Sequence, residues 1–360
     1  MFFLHDLKGA GMERFVTILL NHLDRRQFNL TLALLRGRGD FLDDIPGDIE
    51  IVVFDKPQPV FASFDLIRTI QTQKIDIVFF TGSNVTNLIG ALAFINQYFH
   101  VMKTRFVIRI PNPPTLHLRY KEPQFKKYLN RYLYPCFDKI VVLSLHMKAD
   151  LYDNFPVSHE KIVLIQNPID LNKISKEIKL PLDASLKEGK FNLLSAGRLT
   201  YQKGFDRLLK AMTLLADDCH LTIIGRGEEE NKISEMIRKL KLNDKVTLAG
   251  FKKNPYSYMR MADVFVLSSR FEGFPNVVLE AMACGTPVVA FDCPGGHTEF
   301  IKNGINGILA KNNDYVDLAK KINTCLAMDF NREQIVESVK PYLVDNVVNK
   351  YEKLFQRIKK

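Results

Sequence analysis

Cysteine is sparse and placed without pattern. The five cysteines at 136, 219, 284, 293 and 325 are odd in number and include no C-x-x-C pair. A disulfide framework and a zinc site are both unexpected, and a reducing compartment is favoured. No stretch approaches the roughly 18–20 uninterrupted apolar residues of a membrane-spanning helix. Met1-Phe2-Phe3-Leu4 has neither the basic flank nor the length of a signal peptide. These absences point to a cytoplasmic protein. An Asp-x-Asp pair, which would hold a divalent cation against phosphates, does not occur. Zinc fingers, RNP-type segments and basic helices with base-reading residues are missing too, so nucleic acid is not an expected partner. Acidic residues are the scarcer charge, 40 against 50 basic, leaving a net +10. That imbalance suits an acidic partner, either an anionic membrane surface or a phosphorylated substrate.

What is present is a long alternation of strand and helix. A chain of 360 residues is long for one core, and two domains of roughly 150–200 residues each are expected. Apolar runs at 1–5, 30–35, 49–54, 75–80, 106–110, 139–143 and 162–165 read as strands of the first domain. Helical spacing falls between them, at 12–23, 64–72, 86–99 and 125–134. Residues 171–190, rich in Lys with Pro181 and Gly189, read as a linker. Strands at 191–196, 221–224, 246–248, 264–267 and 287–291 begin again beyond it. This rhythm gives an α/β fold of mostly parallel sheets covered on both faces, with ligands at the carboxyl ends of the strands.

The most informative stretch runs from Phe271 to Ala290. It reads as a loop punctuated by Gly273 and Pro275, a helix N-capped by Asn276 and ending at Gly285, then a buried strand. Glu272 and Glu280 bracket the turn. Eight residues of helix span about 12 Å, whereas a retaining glycoside hydrolase needs its carboxyl pair about 5–5.5 Å apart. The spacing favours two acids touching opposite ends of one hydroxyl-rich ligand, although glutamates near a helix start also serve its dipole alone. Arg198 and Lys203 lie five apart across another strand-to-helix turn. Both can reach an anion above that helix's N-terminus. Gly9-Ala10-Gly11 and Gly225-Arg226-Gly227 mark two more turns where backbone can approach a phosphate or a nucleotide.

Glu-Gly-Phe-Pro-Asn-x-x-x-Glu-Ala-Met-Ala-x-Gly-x-Pro-Val-Val, as it stands from Glu272 to Val289, resembles the signature of the retaining glycosyltransferases of family 4. The resemblance implies GT-B architecture, two Rossmann-like doubly wound domains facing each other across a cleft. It implies that Glu272 faces the donor sugar and Glu280 the ribose, with further donor contacts at Gly273, Phe274 and Asn276. Gly197-Arg198 to Lys203-Gly204 resembles the family's diphosphate-holding segment, and Gly9 to Arg14 its glycine-rich one, with Ala10 where a glycine is usual. The base would be held by main-chain atoms at Phe251 or Lys252. Where many members carry a histidine for the donor sugar, this chain has Arg109 and Asn112, expected here as acceptor or sugar contacts. His297-Thr298 replaces a commoner Pro-Arg pair.

The domains expected are an acceptor-binding one at 1–170, the linker at 171–190 and a donor-binding one at 191–340. A final helix at 341–360 would cross back onto the first. Between Lys103 and Arg131, eight basic residues face the single acid Glu122, a net +7, with Tyr120, Phe125 and Tyr128 interleaved. Such a run is either a solvated face or a patch that docks on anionic headgroups, placing the protein at the inner face of a membrane. The activity expected is retaining transfer of a hexose or N-acetylhexosamine from a UDP-sugar to a lipid-linked or cell-surface glycan precursor. Arg198, Lys203 and Glu272 would be the catalytic residues, with no metal and no cofactor. The rival expectations are a nucleotide-sugar epimerase on the same fold and a non-catalytic sugar-nucleotide-binding protein.

Overall fold

A computed structural model describes residues 1–8, 11–116, 124–180 and 187–359; for 83–85 and 124–127 the description is of the backbone. In its first half the order is β1 (Phe2–Leu4), α1 (Gly11–His22), β2 (Thr31–Leu34), β3 (Glu50–Val53), α2 (Ser63–Thr72), β4 (Ile77–Thr81), α3 (Ser83–Phe99), β5 (Arg105–Arg109), α4 (Gln124–Leu133), β6 (Lys139–Val142), α5 (Leu145–Asn154) and β7 (Ile162–Leu164). The second half runs α6 (Leu171–Glu177), β8 (Phe191–Ala196), α7 (Phe205–Met212), β9 (Cys219–Ile224), α8 (Glu230–Lys239), β10 (Val246–Gly250), α9 (Tyr256–Met261), β11 (Val264–Leu267), α10 (Asn276–Ala283), β12 (Val288–Phe291), β13 (Gly307–Ala310), α11 (Tyr315–Leu326), α12 (Arg332–Glu337) and α13 (Val344–Lys359).

The chain forms two compact units, one of 1–168 with 344–360 and one of 169–343. The first holds a seven-stranded sheet in the order β3-β2-β1-β4-β5-β6-β7, every pairing parallel. Its core gathers around Phe2, Phe15 and Phe79. α13 is written for this place. Val344, Val347, Val348, Tyr351, Leu354, Phe355 and Ile358 recur at helical spacing and are all buried. Tyr351 and Phe355 reach Phe15 and Phe79, with ring centroids 5.5–5.8 Å apart. Removing one such buried ring typically costs about 3–5 kcal/mol.

The second unit holds a six-stranded parallel sheet, β10-β9-β8-β11-β12-β13. β11 and β12 are buried along their whole length, as strands covered on both faces must be. Strand order reverses between β8 and β11, so the loops that follow these two strands diverge there and leave room for a ligand.

Three expectations are corrected. Residues 171–177 are not linker but the helix α6, capped by Asp170 through Lys173 N at 2.9 Å and anchored by buried Ile174. Its last carbonyl, on Glu177, accepts from Asn254 at 2.8 Å, which ties it to the second unit. The lysines that suggested a linker sit on its outer side. The terminal helix begins at Val344, because 340–342 form a separate 3-10 turn. Asn276 is the first residue of α10 and not its cap, which is Pro275.

Candidate active site

Lys203 and Glu272 meet at the strand reversal of the second unit. β8 ends at Ala196, and the chain turns through 197–204 into α7. Gly204, at φ +64°, stands between a 3-10 turn over 201–203 and the helix. β11 ends at Leu267 and enters the loop 268–275. The Lys203 ammonium donates to Glu272 Oε1 at 2.7 Å, and the Ser269 hydroxyl donates to the same oxygen. Among the described residues no donor reaches Oε2. The two side chains are 17% and 5% exposed, so this pair is shielded enough for its Coulomb attraction to matter. Arg198 is exposed on the same turn.

The two loops are held together by a second, purely structural set. Arg270 grips Asp206 with two parallel hydrogen bonds at 2.9 and 2.7 Å, donates to Tyr201 O at 2.7 Å and lies 3.9 Å over the Tyr201 ring. Arginine's fork suits this bidentate grip. The Asp206 carboxyl is held below its usual value: burial pushes it up, and the Arg270 hydrogen bonds and charge outweigh that. Gln202 and Ser268 add side chain to main chain bonds between the loops, to Phe271 O and Lys203 O. None of this network was expected from the sequence. Its only signal there was an arginine just ahead of the Phe271 stretch.

A third loop, after β12, closes on Glu272. Glu272 N donates to Pro294 O at 2.8 Å, and Gly296 N to Gly273 O at 2.9 Å. A Cβ on Gly295 would lie 2.9 Å from both Cβ and O of Glu272, so only glycine permits this approach. Fully buried His297 donates from Nε2 to Phe291 O at 2.8 Å, and its Nδ1 has no partner. Burial lowers its pKa, with the nearby Glu272 carboxylate pulling the other way. The imidazole is therefore neutral at pH 7.

Glu280, in α10, is 8% exposed and accepts from the Tyr256 hydroxyl at 3.4 Å. Phe251 is an exposed aromatic just past the positive-φ Gly250, and the Lys252 ammonium lies 5.7 Å from the Tyr258 ring. Gly273 lies in the Glu272 loop. The Phe274 ring packs on Phe300 and Tyr342 at 5.2 and 5.7 Å and so supports the loop. Gly225 differs in its reason. A Cβ there would stand 1.9 Å from Gly197 O, and one on Gly227 would stand 2.3 Å from Leu199 O. These glycines admit the neighbouring turn of the chain itself.

In the first unit Gly11 opens α1 with free space where a Cβ would point. Gly9 lies outside the described residues, as do Ala10 and residues 117–123 of the basic stretch. Arg109 is the clear correction. It is 2% exposed, with its guanidinium 4.1 Å over Phe15, donating to Thr81 Oγ1 at 3.1 Å and to Asn167 Oδ1 at 2.5 Å. Burial lowers its pKa, opposed by Tyr351 and Glu13. A side chain spent on these groups does not meet an acceptor, and it adds nothing to a surface charge patch. Asn112, three residues on, is half-buried. Among the described residues no cluster of three or more His, Cys, Asp or Glu forms a metal site, and no helix is long and apolar enough to cross a membrane.

Comparison with known proteins agrees with this geometry. Residues 180–340 match the family model described as glycosyl transferases group 1, and residues 9–173 match that of glycosyltransferase family 4. The chain is 31% identical over 343 residues to an N-acetylgalactosamine-N,N'-diacetylbacillosaminyl-diphospho-undecaprenol 4-alpha-N-acetylgalactosaminyltransferase of Campylobacter jejuni, covering 91% of this chain and 90% of that one. It is 26% identical to an amylovoran biosynthesis glycosyltransferase of Erwinia amylovora, covering 82% and 81%. Among solved structures, Anabaena HepE in complex with UDP superposes with a TM-score of 0.79 at 19% identity over 99% of both chains. Sucrose-phosphate synthase from Thermosynechococcus elongatus does so with 0.81 at 17% identity, over 99% and 98%. A Lys–Glu pair at the strand reversal of a parallel sheet, two family models that tile the chain and a relative matched along nearly its whole length lead to one conclusion: the chain belongs to the group 1, family 4 glycosyltransferases of GT-B fold.

Proposed function

We propose that the protein transfers a hexose or N-acetylhexosamine from a UDP-sugar to a hydroxyl of a lipid-linked or cell-surface glycan precursor, with retention at the anomeric carbon. The observation that carries this reading is the Lys203–Glu272–Ser269 cluster at the reversal point of the second sheet. As the bond from the sugar to the diphosphate breaks, negative charge gathers on the leaving phosphates. Lys203 and exposed Arg198 neutralise it, and removing one such donor typically costs about 2.7–4 kcal/mol. Without donor, the Lys203 charge is held by Glu272. A diphosphate competes for that ammonium, which leaves the Glu272 carboxylate to accept from sugar hydroxyls. Glu280, with Tyr256 beside it, accepts from the ribose, and main chain at 251–252 holds the base. Side-chain cations supply the positive charge in this scheme, so a divalent metal is dispensable.

Relatives support the substrate classes. The Campylobacter enzyme is named for a diphospho-undecaprenol-linked acceptor, and HepE was solved in complex with UDP-glucose. The test is incubation of the protein with UDP-sugars and a polyprenyl-diphosphate-linked acceptor, in EDTA, with the product anomer read by NMR. Transfer with retention is expected, and Lys203→Ala should lower turnover by roughly tenfold or more in protein that remains folded, with a lower melting temperature because Glu272 is left buried without its cation. An inverted product, or a variant as active as wild type, overturns the scheme. A new sugar nucleotide formed from donor alone would mark an epimerase instead.

A further inference from the structure

The first unit exposes an apolar face that its own packing does not use. α3 has no charged residue in its seventeen positions. Its inner side buries Ile89, Leu92 and Ala93, yet Phe94, Tyr98 and Phe99 on the other side are 40%, 62% and 71% exposed. A surface helix ordinarily turns charge towards water. Beside it, the turn over 59–62 and the start of α2 expose Phe61 and Phe64 at 60% and 88%, and this turn packs against α3. α3 also meets α4, where a Cβ on Gly90 would come within 2.8 Å of Leu133. Outward from that contact, Tyr132 is 71% exposed. Three neighbouring elements therefore present large rings to solvent, a concentration that marks a docking surface.

Charge decides what docks there. α4 carries Lys126, Lys127 and Arg131 with no acidic residue, and Lys103, just beyond α3, is exposed. A second copy of the chain would set these cations against their own counterparts. An anionic bilayer suits both features. Aromatic rings settle at the boundary between headgroups and acyl chains, and lysines and arginines lie on the headgroups. We propose that the face formed by the 59–62 turn, α3 and α4 docks on the surface of an anionic membrane, with Phe61, Phe64 and Phe99 seated in the interfacial layer. This goes beyond the transfer reaction and stands whether or not the donor is a UDP-sugar.

Flotation of the full chain with phosphatidylcholine vesicles, with and without phosphatidylglycerol, tests it without donor or acceptor. Binding is expected to vesicles containing phosphatidylglycerol at low salt, weakening as salt rises. Phe61→Ser with Phe64→Ser and Phe99→Ser should lower the partition coefficient about tenfold or more. Lys126→Glu with Lys127→Glu should lower it at least about fivefold per charge removed. Both variants should keep the wild-type melting temperature and its shift with UDP, which reads the donor site independently. No binding at low salt, equal binding to the uncharged vesicles, or serine variants that bind as wild type would each overturn the proposal. So would self-association in sedimentation that the serine variant abolishes while no vesicle is bound; that would make the face a contact between copies.

Discussion

His297 sits where the charge balance of the site is most exposed to pH. Its Nε2 proton is committed to Phe291 O, so a second proton would land on Nδ1, which is buried and has no acceptor. Burial accordingly holds its pKa below the ordinary value of 6.5, and Glu272 only partly opposes this. The sign of the linkage follows. Between the folded and unfolded pKa values the unfolded chain binds more protons, so the stabilising contribution is complete above about pH 6.5 and is lost as pH falls. The melting temperature of the wild type should drop more steeply below about pH 6.5 than that of His297→Gln, measured by calorimetry across the range. Parallel curves would show that this imidazole titrates normally in the folded protein. His220 shifts in the same direction through burial, but it remains in both proteins and cancels in the comparison.

At the scale of elements, the site depends on how the 197–204 turn is pinned to the 268–275 loop. Gly204 is the tightest point. Its φ of +64° disfavours any side chain, and a Cβ would stand 2.2 Å from Ser268 O. Gly204→Ala should therefore destabilise by more than the roughly 1–2 kcal/mol of left-handed backbone alone and should lower turnover as Lys203 is displaced. Chemical denaturation and steady-state rates on the same preparation check both; an alanine variant with wild-type stability and rate would mean that the turn is free to shift. Much of this element was legible beforehand. The runs Phe191–Ala196 and Val264–Leu267 are strands with those same bounds, and Arg198, Lys203 and Glu272 occupy the loops expected of them. What was not legible depends on contacts between distant segments. The Arg270–Asp206–Tyr201 grip, the entry of Gly295 under Glu272 and the burial of Arg109 between α1 and α13 leave no periodic trace in the chain. Gly225 and Gly227 were conspicuous as glycines, but the close neighbour they admit is the 197–199 backbone, and only the folded arrangement shows that. The lysines of 171–177 misled in the same way, because that helix buries only Ile174 and is otherwise held by its Asp170 cap and the Asn254 bond to Glu177 O.

At the scale of the whole molecule, two parallel sheets of comparable size give the chain two cores, and a ligand held by one of them stabilises that core directly. The residues proposed to grip the diphosphate, ribose and base all belong to the unit of 169–343. They lie in loops at 197–204, 250–252 and 268–275 and, for Glu280, in α10. A nucleotide that binds the folded unit and not the unfolded chain adds RT ln(1 + [L]/Kd), about 2.7 kcal/mol at 100 times its dissociation constant. Saturating UDP should therefore raise the melting temperature. In hydrogen exchange it should slow the amides of those three loops together with 294–297, whose backbone bonds to Glu272 and Gly273 couple it to the same ligand. Slowing confined to the first unit would place the nucleotide elsewhere. A raised melting temperature without slowing in these loops would separate binding from the Lys203–Glu272 cluster and leave that ion pair a structural one. The discriminating readout is the 268–280 segment, because it carries both Glu272 and Glu280, and a ligand spanning them must restrain the loop and the start of α10 together.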